Sequence, residues 1–224
     1  MSGNTPNSPV LPGAIYTALR SSILAQLDPP GSTITEAAVA DRFGVARPTA
    51  RIAIDRLVTE GLLRREPHHA ARVPELGRDD IADLFDVRAV VESAAAALLA
   101  TSAEPPAATV EAHHALLRRS RATTGGASFT DEDIEFHRSL VLGQSSNRLA
   151  RMHALIMGEV ELCIAQLDSQ RLIGVHEVIA QHQGILDAIS DGNVDLATAR
   201  TRAHIWGARD KLIARYDALH PTES

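Results

Sequence analysis

Beyond residue 78 the chain repeats one pattern almost to its end: apolar residues three and four apart, interrupted at short intervals by helix-breaking clusters. The breaks are Glu104-Pro105-Pro106, Thr123-Thr124-Gly125-Gly126, Gln144-Ser145, Asp168-Ser169 and Asp191-Gly192-Asn193. That spacing gathers apolar side chains on one helix face, and Pro, Gly and Asn clusters end the helices. Helices are expected over 79–101, 107–122, 131–144, 146–167, 172–190 and 193–218. Six amphipathic helices with short connections close their apolar faces as an antiparallel bundle. Composition agrees: 45% of residues are hydrophobic but only 3% aromatic, and Ala94–Ala97 is an alanine run, which suits close helix packing over a β-sandwich.

The N-terminal part is organised differently. Residues 1–12 are polar and rich in Pro and Gly, and are expected to be a disordered tail. From Gly13 to Leu27 apolar residues recur every fourth position, at Ile15, Leu19, Ile23 and Leu27, until Asp28-Pro29-Pro30-Gly31 breaks the helix. A short second helix follows, with Thr35 placed to cap it and Gly44 to end it. A tight Gly44-Val45-Ala46 turn leads into a third helix, Arg47 to Glu60. Pro48 fits its first turn, where no N–H is needed, and Ile54, Leu57 and Val58 point inward. Residues 62–66, 67–70 and 71–73 read as strand, turn and strand. The expected fold is therefore mainly α: a winged helix-turn-helix at 13–74, a linker at 75–78, and a six-helix bundle at 79–219.

A winged helix-turn-helix binds DNA by presenting polar residues from the N-terminal turn of its third helix to base edges, while the opposite face packs inward. Here that turn carries Arg47, Thr49 and Arg51, and the packing face carries Ala50, Ile54, Leu57 and Val58. Arginine matches guanine in the major groove, and both Arg and Thr hold phosphates. Arg72, beside the hairpin turn, is placed to reach the backbone or minor groove. The net charge of −6 does not argue against this reading, because it is unevenly spread. Residues 1–76 hold 8 Arg against 7 acidic residues; residues 77–224 hold 13 Arg and 1 Lys against 21.

The single cysteine, Cys163, excludes an internal disulfide and a thiolate-rich zinc site. No signal peptide and no membrane-spanning run is read from the sequence, so a cytoplasmic protein without membrane partners is expected. In the bundle, Asp133 and His137 lie four apart on one helix face, His182 falls within the apolar stripe Val178, Ile179, Ile185, Leu186, and His204 sits on the last helix. One carboxylate and three imidazoles suit Zn(II), Ni(II), Mn(II) or Fe(II), zinc being expected on purification, and leave positions open for water or a ligand. With ten histidines in the chain, each taken alone is more often a hydrogen-bonded core residue than a ligand, and His113, His114, His153 and His176 could be decoys. Arg88 falls in the inward stripe of its helix, with Ile81, Leu84, Phe85, Val91, Ala95 and Leu98. A buried guanidinium needs a partner, either Glu92 one turn on or the carboxylate of a bound acid.

The run from Ile15 to Val73 resembles the GntR family of regulators, through Pro30-Gly31, Ile34, Glu36, Val39-Ala40, Gly44-Val45, Arg47, Arg51, Ala53-Ile54, Leu57 and Gly61-Leu62. It departs from the family at Ala46, which removes a cap hydroxyl, at Pro48, one place early, and at Ala70, where the wing usually has glycine. Residues 79–206 resemble the FCD ligand-binding domain of the FadR-like branch. The matching runs are Asp86-Val87-Arg88 with Glu92, Asp133-Ile134-Glu135-Phe136-His137, and His182 through Ile189 with His204. The resemblance implies DNA contact by Arg47, Thr49 and Arg51, a divalent metal on Asp133, His137, His182 and His204, and a small organic acid as effector, held in part by Arg88. It also implies a homodimer reading a near-palindromic double-stranded operator, as a repressor or an activator. Two other readings compete: a purely structural metal with no effector, and a metal-dependent enzyme that activates water, for which no general base stands out.

Overall fold

The computed structural model describes residues 12–122, 128–167 and 174–221. The expected tail (up to residue 11) and the breaks at 123–126 and 168–169 lie outside the described residues. The chain divides into two compact units, one ending at Glu75 and the next beginning at Leu76.

In the first unit, α1 (Pro12–Leu24) and α2 (Glu36–Phe43) pack on α3 (Arg47–Thr59). Ile15, Leu19 and Ile23 are fully buried. Leu27 is not part of that face: it is 74% exposed. The helix has already closed, because Gln26 turns left-handed (φ 56°) and the Leu27 N–H reaches back to the Ser22 carbonyl. Thr35 accepts from the Ala38 N–H at the start of α2, and Gly44 (φ 63°) supplies the left-handed residue that turns the chain into α3. The wing differs from a simple hairpin. β2 (Ala71–Arg72) pairs antiparallel with β1 (Thr33–Ile34), a strand the sequence reading missed, while the 62–66 arm contributes a single bridge, Arg64 to Arg72. Leu62 and Leu63 are buried as the chain leaves α3, and Pro67 has no N–H to extend a ladder.

The second unit holds α4 (Arg78–Ser102), α5 (Ala107–Ala122), α6 (Thr130–Leu142), α7 (Asn147–Gln166), α8 (Val175–Ser190) and α9 (Val194–Leu219). Each lies within three residues of its expected limits, although the first residues of the fifth expected helix fall outside the described part. The long α4 packs along α9 and also meets α6, α7 and α8. Its pairing with α9 is antiparallel: Arg78 bonds Asp217, Asp86 bonds Trp206, and Ser93 bonds Arg202. Phe136, Leu140, Ile185, Leu186, Ile189, Leu99 and the small Ala96, Ala112, Ala188 and Ala197 form a common core. Leu98, expected inside, is 52% exposed and Leu99 takes the inward position. Gly143, at the end of α6, sits so close to Pro106 that a Cβ would lie 2.0 Å from its Cγ, so only glycine lets these segments meet.

Candidate functional site

The tip of α3 is open. Arg47, Pro48 and Arg51 are exposed, Thr49 is half-buried, and Ala50, Ala53, Ile54 and Leu57 close the inner face. Ala46 gives no side-chain cap, so the first N–H groups are left to other acceptors. Arg51 stands 3.7 Å from both Glu36 and Asp55, loose exposed pairs that a phosphate can displace. Arg72 is exposed on β2, its Nη1 3.4 Å from the Gly31 carbonyl. His68, at the wing turn, holds the left-handed conformation (φ 66°) in place of Ala70.

In the second unit α6, α8 and α9 bring four side chains together. The candidate ligand atoms of Asp133, His137, His182 and His204 all lie within 4.8 Å of one another, and the three histidines are buried. His137 Nε2 is 3.1 Å from His204 Nε2, and His182 Nε2 is 3.4 Å from Asp133 Oδ1. Donors held at about 2.1 Å from one ion are separated from their neighbours by roughly 3.0–3.4 Å; these two pairs match that spacing, and His137 Nε2 stands wider from Asp133 Oδ1, at 3.9 Å. The outer atoms fix the tautomers. His137 Nδ1 faces Glu92 Oε2 at 2.5 Å, and His204 Nδ1 faces Gln181 Oε1 at 2.7 Å. Both partners are acceptors, so both Nδ1 atoms carry the proton and the two Nε2 lone pairs point at each other. A cation resolves that opposition. Asp133 Oδ1 and both nitrogens of His182 have no hydrogen-bond partner although buried; a metal in the cluster would take Asp133 Oδ1 and His182 Nε2, leaving His182 Nδ1. The donor set therefore fits a divalent ion.

The electrostatics favour ligand-ready imidazoles. Burial lowers the His182 and His204 pKa values well below the usual range, and the surrounding positive groups, His137 and Arg88 among them, push the same way. Burial also raises Asp133, against the pull of His137 and Arg88. Burial alone would raise Glu92 too, but Arg88, His137 and His153 outweigh it and hold this carboxylate well below its ordinary value. Glu92 is fully buried and carries three contacts: Arg88 Nε at 2.7 Å, His153 Nε2 at 3.0 Å, and His137. The Arg88–Glu92 pair expected from the sequence is present, and Arg88 Nη2 remains buried without a partner.

Two of these residues are absent from the sequence-derived site. Glu92 was read only as a partner of Arg88, and His153 as a decoy. Glu92 is the outer partner of His137, and His153 completes the carboxylate's shell from α7. No spacing signal links positions 92, 137 and 153; only the packing of three helices does. Phe136 has a further role, its ring stacking on His182 at 3.6 Å between centroids and setting that imidazole's plane. Of the remaining histidines, His113 is buried with its ring 6.4 Å from His182, whereas His114 and His176 are exposed.

Residues 11–73 match the family model described as bacterial regulatory proteins, gntR family, and residues 83–206 match the FCD domain. A curated HTH-type transcriptional regulator in an unstable DNA locus of Streptomyces ambofaciens is 29% identical over 204 residues, 88% of this chain and 83% of that protein. A protein of Paenarthrobacter nicotinovorans described as a "Probable D-xylose utilization operon transcriptional repressor" is 25% identical over 177 residues, 79% of this chain and 77% of that protein. Among solved structures, a transcriptional regulator GntR from Rhodococcus sp. RHA1 superposes with TM-score 0.71 at 22% identity, covering 91% of this chain and 97% of the other. E. coli McbR/YncC gives TM-score 0.71 at 19% identity, covering 92% and 99%. At these identities the structures speak for the fold.

Proposed function

Because the chain belongs to the gntR family of bacterial regulatory proteins and carries an FCD domain, we propose that its DNA affinity is set by a small organic acid bound beside a divalent metal in the helical unit. The chain is a transcriptional regulator and not an enzyme. The finer reading gives residues 13–74 to DNA, 75–78 to a linker and 79–219 to sensing and dimerisation. Arg47, Thr49 and Arg51 read base edges and phosphates in the major groove, and Arg72 holds the backbone from the wing. Asp133, His137, His182 and His204 hold the metal, zinc, nickel, manganese or iron by donor type. A bound divalent ion supplies an electrophilic point of attachment for a carboxylate oxygen.

One observation carries this reading: the four convergent ligand atoms lie within the field of a buried guanidinium, Arg88, that has an unpartnered Nη2. Arg88 spends Nε on Glu92 and keeps Nη2 for a ligand oxygen, so pairing and ligand binding coexist. A homodimer in the cytoplasm reading a near-palindromic operator follows from the need to place two recognition helices on two half-sites. A repressor released by its effector suits a population shift between dimer geometries. The test is a thermal-shift and gel-shift titration of metal-loaded protein with small carboxylic acids. An effector raises the melting temperature and changes retention of operator DNA; Arg88→Ala abolishes both responses while keeping the metal.

The engagement of Arg88 by Glu92 favours a second reading, in which the metal only ties α6, α8 and α9 together. Under that reading chelation melts the helical unit, and no acid shifts its melting temperature or its DNA binding.

A further inference from the structure

His182 meets the ligand cluster through Nε2, 3.4 Å from Asp133 Oδ1, and its Nδ1 is left buried with no hydrogen-bond partner. The other two histidines differ: Nδ1 of His137 faces Glu92 and Nδ1 of His204 faces Gln181. A liganding imidazole is ordinarily fixed in tautomer and orientation by a bond at its second nitrogen, and a buried N–H without an acceptor is costly. The stacked Phe136 sets the plane of the His182 ring but offers no acceptor at its edge.

The matching deficit lies on α5. His113 is 1% exposed, and neither of its ring nitrogens has a hydrogen-bond partner. Among the described residues, the rings beside His182 are Phe136, the two other cluster histidines and His113, so His113 alone brings polar ring atoms from outside the cluster. The His113 and His182 centroids are 6.4 Å apart. A direct bond between ring nitrogens would hold the centroids within roughly 5.3 Å, and a single bridging water extends that reach to roughly 7 Å. The observed separation falls between the two. One water there gives two orphaned nitrogens their partner, which is the usual place of a buried water. The charge state agrees. Burial lowers the His113 pKa more than Gln183 and Asp187 raise it, so at neutral pH the ring is uncharged, with one N–H and one lone pair.

We infer that His113 is a positioning residue of the metal site, holding the Nδ1 proton of His182 through one bridging water, as Glu92 and Gln181 hold those of His137 and His204 directly. The water oxygen accepts from His182 Nδ1–H and the water donates to the unprotonated nitrogen of His113, so Nε2 of His182 keeps its lone pair for the ion. The inference rests on the metal reading above and adds a residue from α5, a helix that supplies none of the four ligands. It also gives the imidazole at position 113 a role that an apolar side chain packed beside Phe136 could not fill.

Cobalt(II)-loaded full-length protein tests the inference by proton NMR and by competition with a chromophoric chelator. High-spin cobalt shifts the exchangeable N–H proton of each liganding imidazole away from the main envelope, so the parent is expected to show one such signal each from His137, His182 and His204. His113→Phe and His113→Leu remove both ring nitrogens at two different volumes. In these variants one of the signals is expected to broaden through fast exchange with solvent, and cobalt affinity to fall about 10-fold. His113→Gln, which can still bond a water, is expected to retain the signal and most of the affinity. Thr109→Val removes another buried, unpartnered polar group one turn earlier on α5 and is expected to change neither. Unaltered signals and affinity in His113→Phe and His113→Leu overturn the inference and leave the metal reading standing. An equal loss in His113→Gln or Thr109→Val marks repacking of α5 and overturns it too; a parent that binds no cobalt overturns both.

Discussion

At the scale of single residues, Glu92 does more than its position suggests. It holds the Nδ1 proton of His137, so that Nε2 presents a free lone pair to the candidate metal site, and it occupies one edge of Arg88 and the ring of His153. Partners of this kind around a metal ligand change affinity about 10–100-fold when removed. Glu92→Gln keeps the shape but leaves Arg88 without a charge partner, and its side-chain amide can replace only part of the acceptor set. Metal affinity measured by competition with a chromophoric chelator is expected to fall by about that factor. An unchanged affinity would make Glu92 a partner of Arg88 alone. His204 shows the same logic with a neutral acceptor, Gln181.

At the scale of elements, the proposed function divides DNA binding between α3 and the wing. The helix turn that starts at Arg47 presents Arg47, Thr49 and Arg51, whereas Arg72 stands on β2, tied to β1 and to the Arg64 bridge. Contacts to base edges discriminate between sequences and contacts to phosphates do not. Arg47→Ala or Arg51→Ala is therefore expected to reduce operator affinity by about 1–3 kcal/mol and relax the preferred sequence. Arg72→Ala is expected to weaken all sequences evenly and flatten the salt dependence. Fluorescence anisotropy on specific and scrambled duplexes over a salt series separates the two; an equal loss on both duplexes for Arg47→Ala would take base reading away from it. These elements were legible to different degrees. Helix limits followed from periodicity and from caps such as Thr35 and Gly44, which are local. β1 and the register of the wing were not legible, because Thr33 and Ile34 find their partners, Arg72 and Ala71, in a strand distant along the chain. Leu98 was misplaced because a stripe of alanines and leucines offers two faces to a helix, and only packing against α6, α8 and α9 selects Leu99.

At the scale of the molecule, the helical unit stands or falls as a whole, and Cys163 reports on it. This thiol is buried on α7, and burial pushes its pKa from about 9 up to about 12. Because the folded value lies above the unfolded one, the unfolded chain loses its proton first as pH rises. The stability from the buried neutral thiol is complete below pH 9 and declines from there to about pH 12. At neutral pH, alkylation by iodoacetamide is expected only through opening of the unit, so metal and effector should both slow it; fast labelling of native protein would mean that the thiol is accessible. No helix among the described residues is long and apolar enough to cross a membrane. What the residue order determined unaided is whatever depends on neighbours a turn or two apart: six helices, the turn into α3, the polar tip of that helix, the shared face of Asp133 and His137, and the inward place of His182. What required the folded molecule is whatever depends on helices distant in sequence. The joining of Glu92, His137 and His153, the opposed lone pairs of His137 and His204, and the choice of which face of α4 stays outside all arise when helices pack, and a linear pattern carries no record of which helix will be the neighbour.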